Sequence, residues 1–576
     1  MLTCSSLDLV FWRVQVKTAK NVQYSVAGLV AVITCAVYFT SLRNEFVEWD
    51  DSIYVFENPH IRSLNFSFFR WAFFDFHAGN WHPLTWISHA VDYAVWGLNP
   101  WGHHLTNIIL HSLNSSIVAL LIMGLIETLQ KTTIENERPM NERMTLMVGG
   151  VTGILFGLHP LHVESVAWVA ERKDLLCALF FLLSMTVYAK YGTLAHAESP
   201  HPGPESRYLK KLYLLSLGSF TLALLSKPMA VTLPVCLLML DWYPLKRIQS
   251  FRTFRIAFVE KIPFFALSLA SSILTILAQA AGGSLVPIAY APVSTRMLVA
   301  SKALVVYLGK MTVPLNLVPF YPYPSDVSLL SLDYLFSVVL VLGITMVCIV
   351  VIKGHEVLLS VWGYYVVTLM PVLGIVQIGN QFMADRYAYL PGLGPFFLMG
   401  LTAAWFFEKV NALKRWRRPA TLVCAAAAIG VLVSLSYLTV KQIGVWQNSI
   451  DLWTYVIKKE PVRAPLAYYN RGVYYAKKGQ ADRALNDFKK TILLDPSDYQ
   501  AYYNLGVLYG STGLFDMAIE CFSTAIMINQ SYDVAYLNRG AYYARTGRME
   551  QARADFQKAC DLGNENGCRQ VKLRQS

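Results

Sequence analysis

The sequence predicts an all-α protein in which a polytopic helical membrane domain is followed by a soluble α-solenoid. Of the 576 residues, 55% are hydrophobic and 15% are charged, whereas soluble chains carry about 25% charged residues. Apolar runs near membrane-spanning length recur from residue 24 to about residue 440. After residue 445 the sequence becomes charged and rich in Tyr and Ala, so we assign residues 1–445 to the membrane domain and 446–576 to the soluble domain.

The net charge of +12 does not indicate nucleic-acid binding, because Lys and Arg cluster between the apolar runs. That distribution is a topology signal. Arg13, Lys17 and Lys20 precede the first run and place the N-terminus in the cytoplasm. No cleavage site is evident after that run, so we expect a retained first helix. The following loop, 42–104, is then expected on the outer side.

Assigning the remaining loops by charge predicts about eleven transmembrane helices. The 297–316 stretch is apolar enough to span but contains Lys302 and Lys310. Each charge costs about 2.5–3.5 kcal/mol at the centre of a spanning helix, so we expect an amphipathic helix on the outer surface. Eleven spans place the soluble domain on the same side as the 42–104 loop. If 297–316 spanned, that domain would be cytoplasmic.

An adjacent acidic pair, Asp50 and Asp51, lies in the 42–104 loop between Trp49 and Tyr54. The simplest interpretation is a solvated loop. The alternative is a functional site, because a positioned carboxylate can remove a proton from a reacting group or bind a hard divalent cation.

The predicted topology brings further polar residues to the outer side. Cations there run against the insertion bias, so an anion is expected to hold them. Charge balance with the acidic loop explains part of the pattern, and an anionic ligand such as a phosphate explains more. The histidines lack the HExxH spacing of a zinc site, which leaves Asp50 and Asp51 as ligands if a metal binds. These outer residues include the cations Arg172, Lys173, Lys227 and Arg386, and also His82, His104, His159, His162, Glu164 and Asp385.

The soluble domain repeats every 34 residues. Ala467-Tyr468-Tyr469-Asn470-Arg471-Gly472 recurs as 501–506 and as 535–540, with Phe488, Phe522 and Phe556 in register. This pattern resembles the tetratricopeptide repeat. It gives a half repeat at 446–464 and full repeats at 465–498, 499–532 and 533–566.

Such solenoids bind extended polypeptides in a concave groove. We expect Asn470, Asn504 and Asn538 to line that groove and to bind an acceptor polypeptide. A purely structural cap is the alternative. Near the end of the array, Cys560 and Cys568 bracket a turn and are predicted to form a disulfide in an oxidising compartment.

Residues 24–440 resemble the GT-C class of integral-membrane glycosyltransferases. The motifs are Trp49-Asp50-Asp51, then HPLHVE at 159–164 with Arg172-Lys173-Asp174, and DRYAYLP at 385–391. Together with the repeats, they are most similar to the transmembrane and tetratricopeptide repeat proteins (TMTC). One departure is the first outer loop, which is richer in His and Trp and contains Trp81-His82-Pro83-Leu84. The identity of the donor sugar is therefore not carried over.

The resemblance implies transfer of a sugar from a polyprenyl-phosphate-linked donor in the bilayer to a protein, at a Ser or Thr hydroxyl. Asp50 is then the expected general base, and Asp51 orients it, holds a metal or positions the acceptor. Arg386, with Lys173, Arg172 or Lys227, is expected to stabilise the leaving phosphate. The histidines, Glu164 and Asp385 would support the site.

We expect a bacterial inner membrane with the repeats in the periplasm, or alternatively the endoplasmic reticulum with the repeats in the lumen. Two other functions stay open. A non-enzymatic membrane scaffold would use the repeats alone for the assembly of envelope or secreted proteins. A transporter would place ionisable residues at mid-membrane depth, whereas most charges here fall at helix ends.

Overall fold

The computed structural model describes residues 6–132, 141–197, 204–283, 292–352, 355–376, 379, 381–413 and 417–573. The chain forms two compact units. The first contains Met1–Phe46 and Asp50–Gln447, and the second contains Val47–Trp49 and Asn448–Ser576. The fold is all-α, with a helical membrane unit and a repeat unit.

In its described residues, the membrane unit contains α-helices, short 3₁₀ turns, one π-helical turn and a two-stranded antiparallel sheet. Strand Tyr321–Pro322 pairs with strand Gln381–Met383. The α-helices are Ser6–Tyr38, Phe66–Phe74, Pro83–Trp96, Pro100–Thr132, Glu142–Leu158, Val163–Ala167, Arg172–Ala197, Pro204–Ser226, Leu233–Trp242, Phe251–Glu260, Ile262–Ala281, Val293–Thr312, Leu332–Val350, Glu356–Leu369, Leu393–Asn411 and Arg417–Ile443.

Fewer helices reach spanning length than the eleven predicted. In the described part of the chain, seven helices are long and apolar enough to cross a membrane, or eight if one bent pair counts as a span. The side of the membrane on which the repeat unit lies therefore stays a prediction. The seven are Lys20–Arg43, Pro100–Gln130, Val169–Ala195, Ser206–Ser226, Ile262–Ala281, Leu332–Val350 and Arg417–Trp446.

Proline residues explain part of the shortfall, because proline lacks an N–H and ends or kinks a helix. Pro160 follows helix Glu142–Leu158, and the chain bends by 50° before continuing as Pro160–Ala167. The apolar segment after Lys227 begins as a 3₁₀ turn, Pro228–Thr232, and becomes an α-helix only at Leu233. These broken segments leave short irregular turns inside the membrane unit.

The 297–316 stretch forms helix Val293–Thr312, which is not a candidate span by length and composition. Its two lysines have polar partners. Lys302 pairs with Asp333 at 3.1 Å, and Lys310 donates to the carbonyl of Asn316 at 2.9 Å. Both charges on this helix are therefore paired or hydrogen-bonded within the protein.

The repeat unit is a series of helix pairs. Aromatic side chains fill the space between the helices of a pair, and small residues allow close approach. Phe488, Phe522 and Phe556 are each at most 2% exposed. The helices are Ser449–Lys459, Pro465–Lys477, Ala481–Leu494, Tyr499–Ser511, Phe515–Ile528, Asp533–Arg545, Met549–Asp561 and Glu565–Leu573.

Three residues of the 42–104 loop, Val47–Trp49, belong to the repeat unit. The Trp49 ring packs on Trp453 with centroids 4.9 Å apart. The indole N–H of Trp453 donates to the carbonyl of Glu48 at 3.0 Å, and the ammonium of Lys477 donates to the Glu48 carboxylate at 3.0 Å. Cys560 and Cys568, at the other end of this unit, are joined by a disulfide.

Gly506 is expected to be essential to the packing of its repeat. A Cβ at this position would lie 2.9 Å from the ring of Phe522, which is fully buried. Gly506→Val should therefore destabilise the repeat by about 1–3 kcal/mol through overpacking. The measurement is hydrogen exchange of helix Tyr499–Ser511 in the full chain, and exchange should be faster than in the wild type. The neighbouring Val507→Ala, at a side chain 39% exposed, is the control; equal protection in both variants would contradict the packing role.

Candidate active site

Four short irregular segments of the membrane unit bring the candidate residues together. Asp50 and Asp51 precede the turn Ser52–Phe56. The turn Val169–Glu171 leads into helix Arg172–Ala197. Lys227 begins the turn Pro228–Thr232, and Arg386 lies in the turn Asp385–Ala388. Irregular backbone at a membrane helix end is tolerated where it is buried in protein.

One buried carboxylate, Glu171, contacts three of the cations. The Lys173 ammonium lies 3.1 Å from Glu171 Oε1, and the Lys227 ammonium lies 3.3 Å from Oε2. Nε of Arg386 is 3.3 Å from Oε1. The sequence did not single out Glu171, although it lies seven residues after Glu164 in the same motif. The carboxylate fixes where the three positive charges converge.

Asp50 is the accessible carboxylate of the acidic pair. Its side chain is 33% exposed, and its Oδ2 lies 3.5 Å from the Lys173 ammonium. That ammonium also lies 4.7 Å from the centroid of the Tyr54 ring. Burial raises the pKa of the Tyr54 hydroxyl to about 12, so Tyr54 remains a neutral phenol beside the lysine. The Asp50 carboxylate is thus accessible and has a cation beside it.

Asp51 has a different environment from Asp50. The residue is only 1% exposed, and its Oδ1 accepts a hydrogen bond of 2.8 Å from the backbone N–H of Ala170. The two adjacent carboxylates therefore contact different parts of the same segment. Asp50 contacts the Lys173 side chain, and Asp51 contacts the Ala170 backbone.

Two glutamates hold Arg386. Its guanidinium pairs with Glu164 as well as with Glu171, and its backbone N–H donates to Glu164 Oε2 at 3.3 Å. The guanidinium carbon lies 5.4 Å from the Trp168 ring centroid. Burial alone would lower the pKa of Arg386, but Glu164, Tyr387 and Glu171 together hold that pKa well above its usual value. Arg386 is a permanent, fixed cation.

Lys227 is held by a second carboxylate in addition to Glu171. Its ammonium lies 2.5 Å from Asp174 Oδ1, and the hydroxyl of Ser165 donates to Asp174 Oδ2 at 3.3 Å. Burial alone would lower the pKa of Lys227, but Asp174 and Glu171 outweigh it and raise that pKa. Lys227 is therefore charged at neutral pH.

His82 lies close to the cations and is neutral. Burial, followed by the positive charges of Lys173 and Lys227, lowers its pKa to about 3. Nδ1 of this ring is buried and has no hydrogen-bond partner within the described residues. His82 therefore contributes an uncharged polar side chain to the site.

Arg172, a predicted phosphate ligand, has different contacts from those of Lys173, Lys227 and Arg386. Its guanidinium is fully buried and pairs with Asp92 at 2.5 Å. It also donates to Asn107 Oδ1 at 2.9 Å and to the carbonyl of His103 at 2.7 Å. These contacts occupy the guanidinium in a separate polar cluster, so Arg172 holds helix ends together.

Among the described residues, the other predicted histidines hydrogen-bond to the surrounding backbone and not to the cation cluster. His159 Nε2 lies 3.2 Å from the carbonyl of Met311, and His162 Nδ1 lies 2.7 Å from the carbonyl of Phe156. His104 is buried beside the backbone of Asn44 and Glu45. His159 and His162 thus stabilise the break that follows helix Glu142–Leu158.

Asp385 supports the turn that carries Arg386. Its Oδ1 accepts a hydrogen bond of 2.8 Å from the Tyr321 hydroxyl, and the carboxyl is 2% exposed. Burial raises its pKa from 3.8 to about 6, against a smaller opposing effect of Lys310. The protonated acid is therefore favoured in the folded state.

This raised pKa predicts a pH-dependent stability. A pKa above the unfolded value gives stability that is present below about pH 4 and is lost as pH rises through about 6. The contribution is as much as about 3 kcal/mol. Asp385→Asn should keep a neutral side chain at every pH, so its melting temperature relative to wild type should rise between pH 5 and 7.5. A constant difference across that range would contradict the assignment.

The predicted metal ligands do not form a recognisable metal centre. Within the residues that the structure describes, no group of three or more His, Cys, Asp or Glu side chains could hold a metal ion. Asp50 faces Lys173, and Asp51 faces the Ala170 amide. A metal would have to compete with both of these contacts.

In the repeat unit, two of the three predicted groove asparagines contact tyrosines of the preceding repeat. Asn504 donates to the Tyr469 hydroxyl at 3.1 Å, and Asn538 donates to the Tyr503 hydroxyl at 2.7 Å. The amide nitrogen of Asn470 is buried and has no hydrogen-bond partner in the described part of the chain. Asn504 and Asn538 therefore fix the positions of tyrosine rings.

Comparison with known families identifies the repeats. Residues 465–498, 499–532 and 534–565 match the tetratricopeptide repeat. Among solved structures, the Arabidopsis OM64 TPR domain is 24% identical, with 20% of this chain and 94% of that chain covered and a TM-score of 0.19.

Curated relatives are similar over part of the chain. The protein O-mannosyl-transferase TMTC1 of Mus musculus is 33% identical over 223 residues, which cover 37% of this chain and 21% of the relative. The protein O-mannosyl-transferase TMTC4 of Homo sapiens is 36% identical over 154 residues, or 27% of this chain and 19% of the relative. The matches thus span about a fifth of these relatives' length. They confirm the expected resemblance to the TMTC group.

Proposed function

We propose that this TMTC-like membrane protein is a protein O-glycosyltransferase. It transfers a sugar from a polyprenyl-phosphate-linked donor to a Ser or Thr hydroxyl of an acceptor protein, on the periplasmic or lumenal face. The observation that supports this most is the accessible carboxylate of Asp50, 3.5 Å from one of three cations that converge on Glu171. The names of the relatives indicate mannose as the first sugar to test.

In the proposed step, the acceptor oxygen attacks the anomeric carbon while Asp50 takes the hydroxyl proton. The new bond joins the acceptor oxygen to the anomeric carbon. The bond between that carbon and the phosphate oxygen breaks, and the polyprenyl phosphate leaves with the electron pair. A hydroxyl is a weak nucleophile at its ordinary pKa, so the positioned base makes the attack feasible.

The developing charge on the leaving phosphate requires fixed positive charge. Arg386 offers the planar fork of donors that matches phosphate, and Lys173 and Lys227 act as point charges. Because these cations are already held in place by carboxylates, little reorganisation is needed during the reaction. Helix Arg172–Ala197 also begins at this point, and a helix N-terminus favours anions.

Four carboxylates surround three cations in this cluster. The donor phosphate can therefore reach a cation only by replacing one of its carboxylate contacts. Lys173, Lys227 and Arg386 face Asp50, Glu164, Glu171 and Asp174. The Asp50–Lys173 pair is the longest of these contacts and the most exposed. We infer that the donor phosphate takes Lys173 from Asp50. Asp50 is then free to accept the proton of the acceptor hydroxyl.

The repeat unit is proposed to bind the acceptor polypeptide, since repeats of this kind present an extended groove. The tyrosines held by Asn504 and Asn538 are the proposed contact residues, through aromatic faces and hydroxyl groups. The Cys560–Cys568 disulfide favours an oxidising compartment for this unit. The bacterial periplasm and the lumen of the endoplasmic reticulum both satisfy that condition.

A donor-dependence experiment tests the function. Purified full-length protein in proteoliposomes receives an acceptor protein and mannose-labelled polyprenyl phosphate or, in parallel, labelled nucleotide-linked mannose. Label should enter the acceptor only with the lipid-linked donor. Transfer from the nucleotide sugar alone would contradict the donor class. Acceptor binding without transfer from either donor would favour the scaffold function.

A further inference from the structure

We propose that Asp51 is a positioning residue that holds Asp50 in place through the backbone of Ala170, and that its negative charge takes no part in the reaction. This inference rests on the proposed function, because it assigns a task within that active site. It separates two adjacent carboxylates that the sequence alone leaves equivalent.

The contacts of the two carboxylates differ in kind. Asp51 is 1% exposed, so an acceptor hydroxyl cannot reach it without displacing protein. Its Oδ1 accepts from the Ala170 N–H at 2.8 Å, and a buried backbone N–H needs such a partner. Asp50 is 33% exposed and has a longer ion pair. Asp51 is buried and its oxygen already accepts a hydrogen bond, as expected of a positioning residue. Asp50 is exposed, as a general base must be to reach the acceptor.

The hydrogen bond between Asp51 and Ala170 can hold Asp50 in place because of where Ala170 lies in the chain. Ala170 is followed by Glu171, Arg172 and Lys173, so the bond lies three residues before the lysine that faces Asp50. The Asp51–Ala170 and Asp50–Lys173 contacts thus join the same two segments side by side. Tyr54, in the turn after Asp51, contacts the same lysine. Loss of the anchor should let the acidic segment move relative to the cations.

The geometry predicts which substitutions matter. Asparagine retains a side-chain oxygen that accepts from the Ala170 amide, whereas alanine does not. Asp51→Asn should therefore retain activity within about fivefold of wild type, since the anchor is preserved. Asp51→Ala should lower kcat about 100-fold, because a misplacement of about 1 Å costs that much. The KM for the donor should change by less than about threefold, since Arg386 and Lys227 are untouched.

The experiment compares Asp51→Asn, Asp51→Ala and Asp50→Asn by transfer kinetics in proteoliposomes with labelled polyprenyl-phosphate mannose. Hydrogen exchange at the Ala170 amide is measured in the same preparations, and it should accelerate only in Asp51→Ala. An Asp51→Asn variant as inactive as Asp50→Asn would overturn the proposal, because a carboxylate charge would then be required. Wild-type activity in Asp51→Ala would overturn it equally.

The two readouts separate this proposal from the proposed function. If the wild type transfers no sugar, the function fails, and the exchange of the Ala170 amide still decides whether Asp51 is the anchor. If Asp51→Ala does not fold, the comparison of Asp51→Asn with Asp50→Asn decides, because the two isosteric variants differ only in which carboxylate is neutralised.

Discussion

Replacing Asp50 by Asn is expected to reduce sugar transfer by about 10²–10⁴-fold, the usual contribution of a general base. Asparagine has the shape of aspartate but accepts no proton, so the acceptor hydroxyl would attack without assistance. The loss should appear in kcat, whereas the KM for the donor should fall, because the asparagine no longer competes with the donor phosphate for Lys173.

Asp50→Asn should fold normally, since the side chain is 33% exposed and its ion pair with Lys173 is long, at 3.5 Å. The matched control is Glu57→Gln, which neutralises an exposed acidic residue in the same loop and should leave transfer unchanged. Both variants are compared with wild type by initial rates in proteoliposomes, with melting temperature as the test of folding. A folded Asp50→Asn variant that transfers at more than about a tenth of the wild-type rate would exclude Asp50 as the base.

Arg386→Gln is expected to lower both activity and stability. Removing one donor to a developing anion costs about 10²–10³-fold in kcat. The substitution also leaves Glu164, 3% exposed, without its guanidinium partner, and breaking a buried pair in this way costs about 3–5 kcal/mol. Transfer rates and melting temperatures of the same preparation measure the two effects.

A double variant separates these two roles of Arg386. In Glu164→Gln/Arg386→Gln the unpaired buried carboxylate is gone, so most of the lost stability should return. Activity should stay low, because the phosphate still lacks the guanidinium. Recovery of transfer together with stability would show that Arg386 only maintains the fold. Persistent instability would show that its pairing with Glu171 outweighs that with Glu164.

The repeats were predictable because their signal is local and periodic. A 34-residue spacing of Gly, Ala and Phe reports directly which side chains meet between two helices, as Gly506 and Phe522 do. What the sequence did not predict is the use of the asparagines. Asn504 and Asn538 satisfy tyrosine hydroxyls 35 residues earlier, and only the stacking of repeats brings these groups together.

In the membrane unit, composition predicted helices but not the side-chain contacts made at the breaks between them. Proline residues lie at two of these breaks, Pro160 and Pro228. The breaks matter here because the turns they create carry Glu164, Glu171 and Lys227.

The case of Arg172 and Lys173 shows a further limit of sequence reasoning. The two cations are adjacent in the chain, but successive residues of a helix point about 100° apart. Lys173 faces Glu171 and Asp50, while Arg172 faces Asp92 in a separate cluster. Conversely, Glu171 was overlooked because a carboxylate inside a basic motif resembles simple charge balance, and its three cationic partners come from three different segments.

The most direct test of the proposed function is the stoichiometry of a single turnover. Purified wild-type protein in proteoliposomes is mixed with excess acceptor and a limiting amount of polyprenyl-phosphate mannose, and both products are quantified. The proposed reaction predicts equal amounts of free polyprenyl phosphate and mannosylated acceptor from the wild type, and formation of both products at least about 100-fold slower with Asp50→Asn. Polyprenyl phosphate released without mannosylated acceptor, or equal product from both proteins, would contradict it.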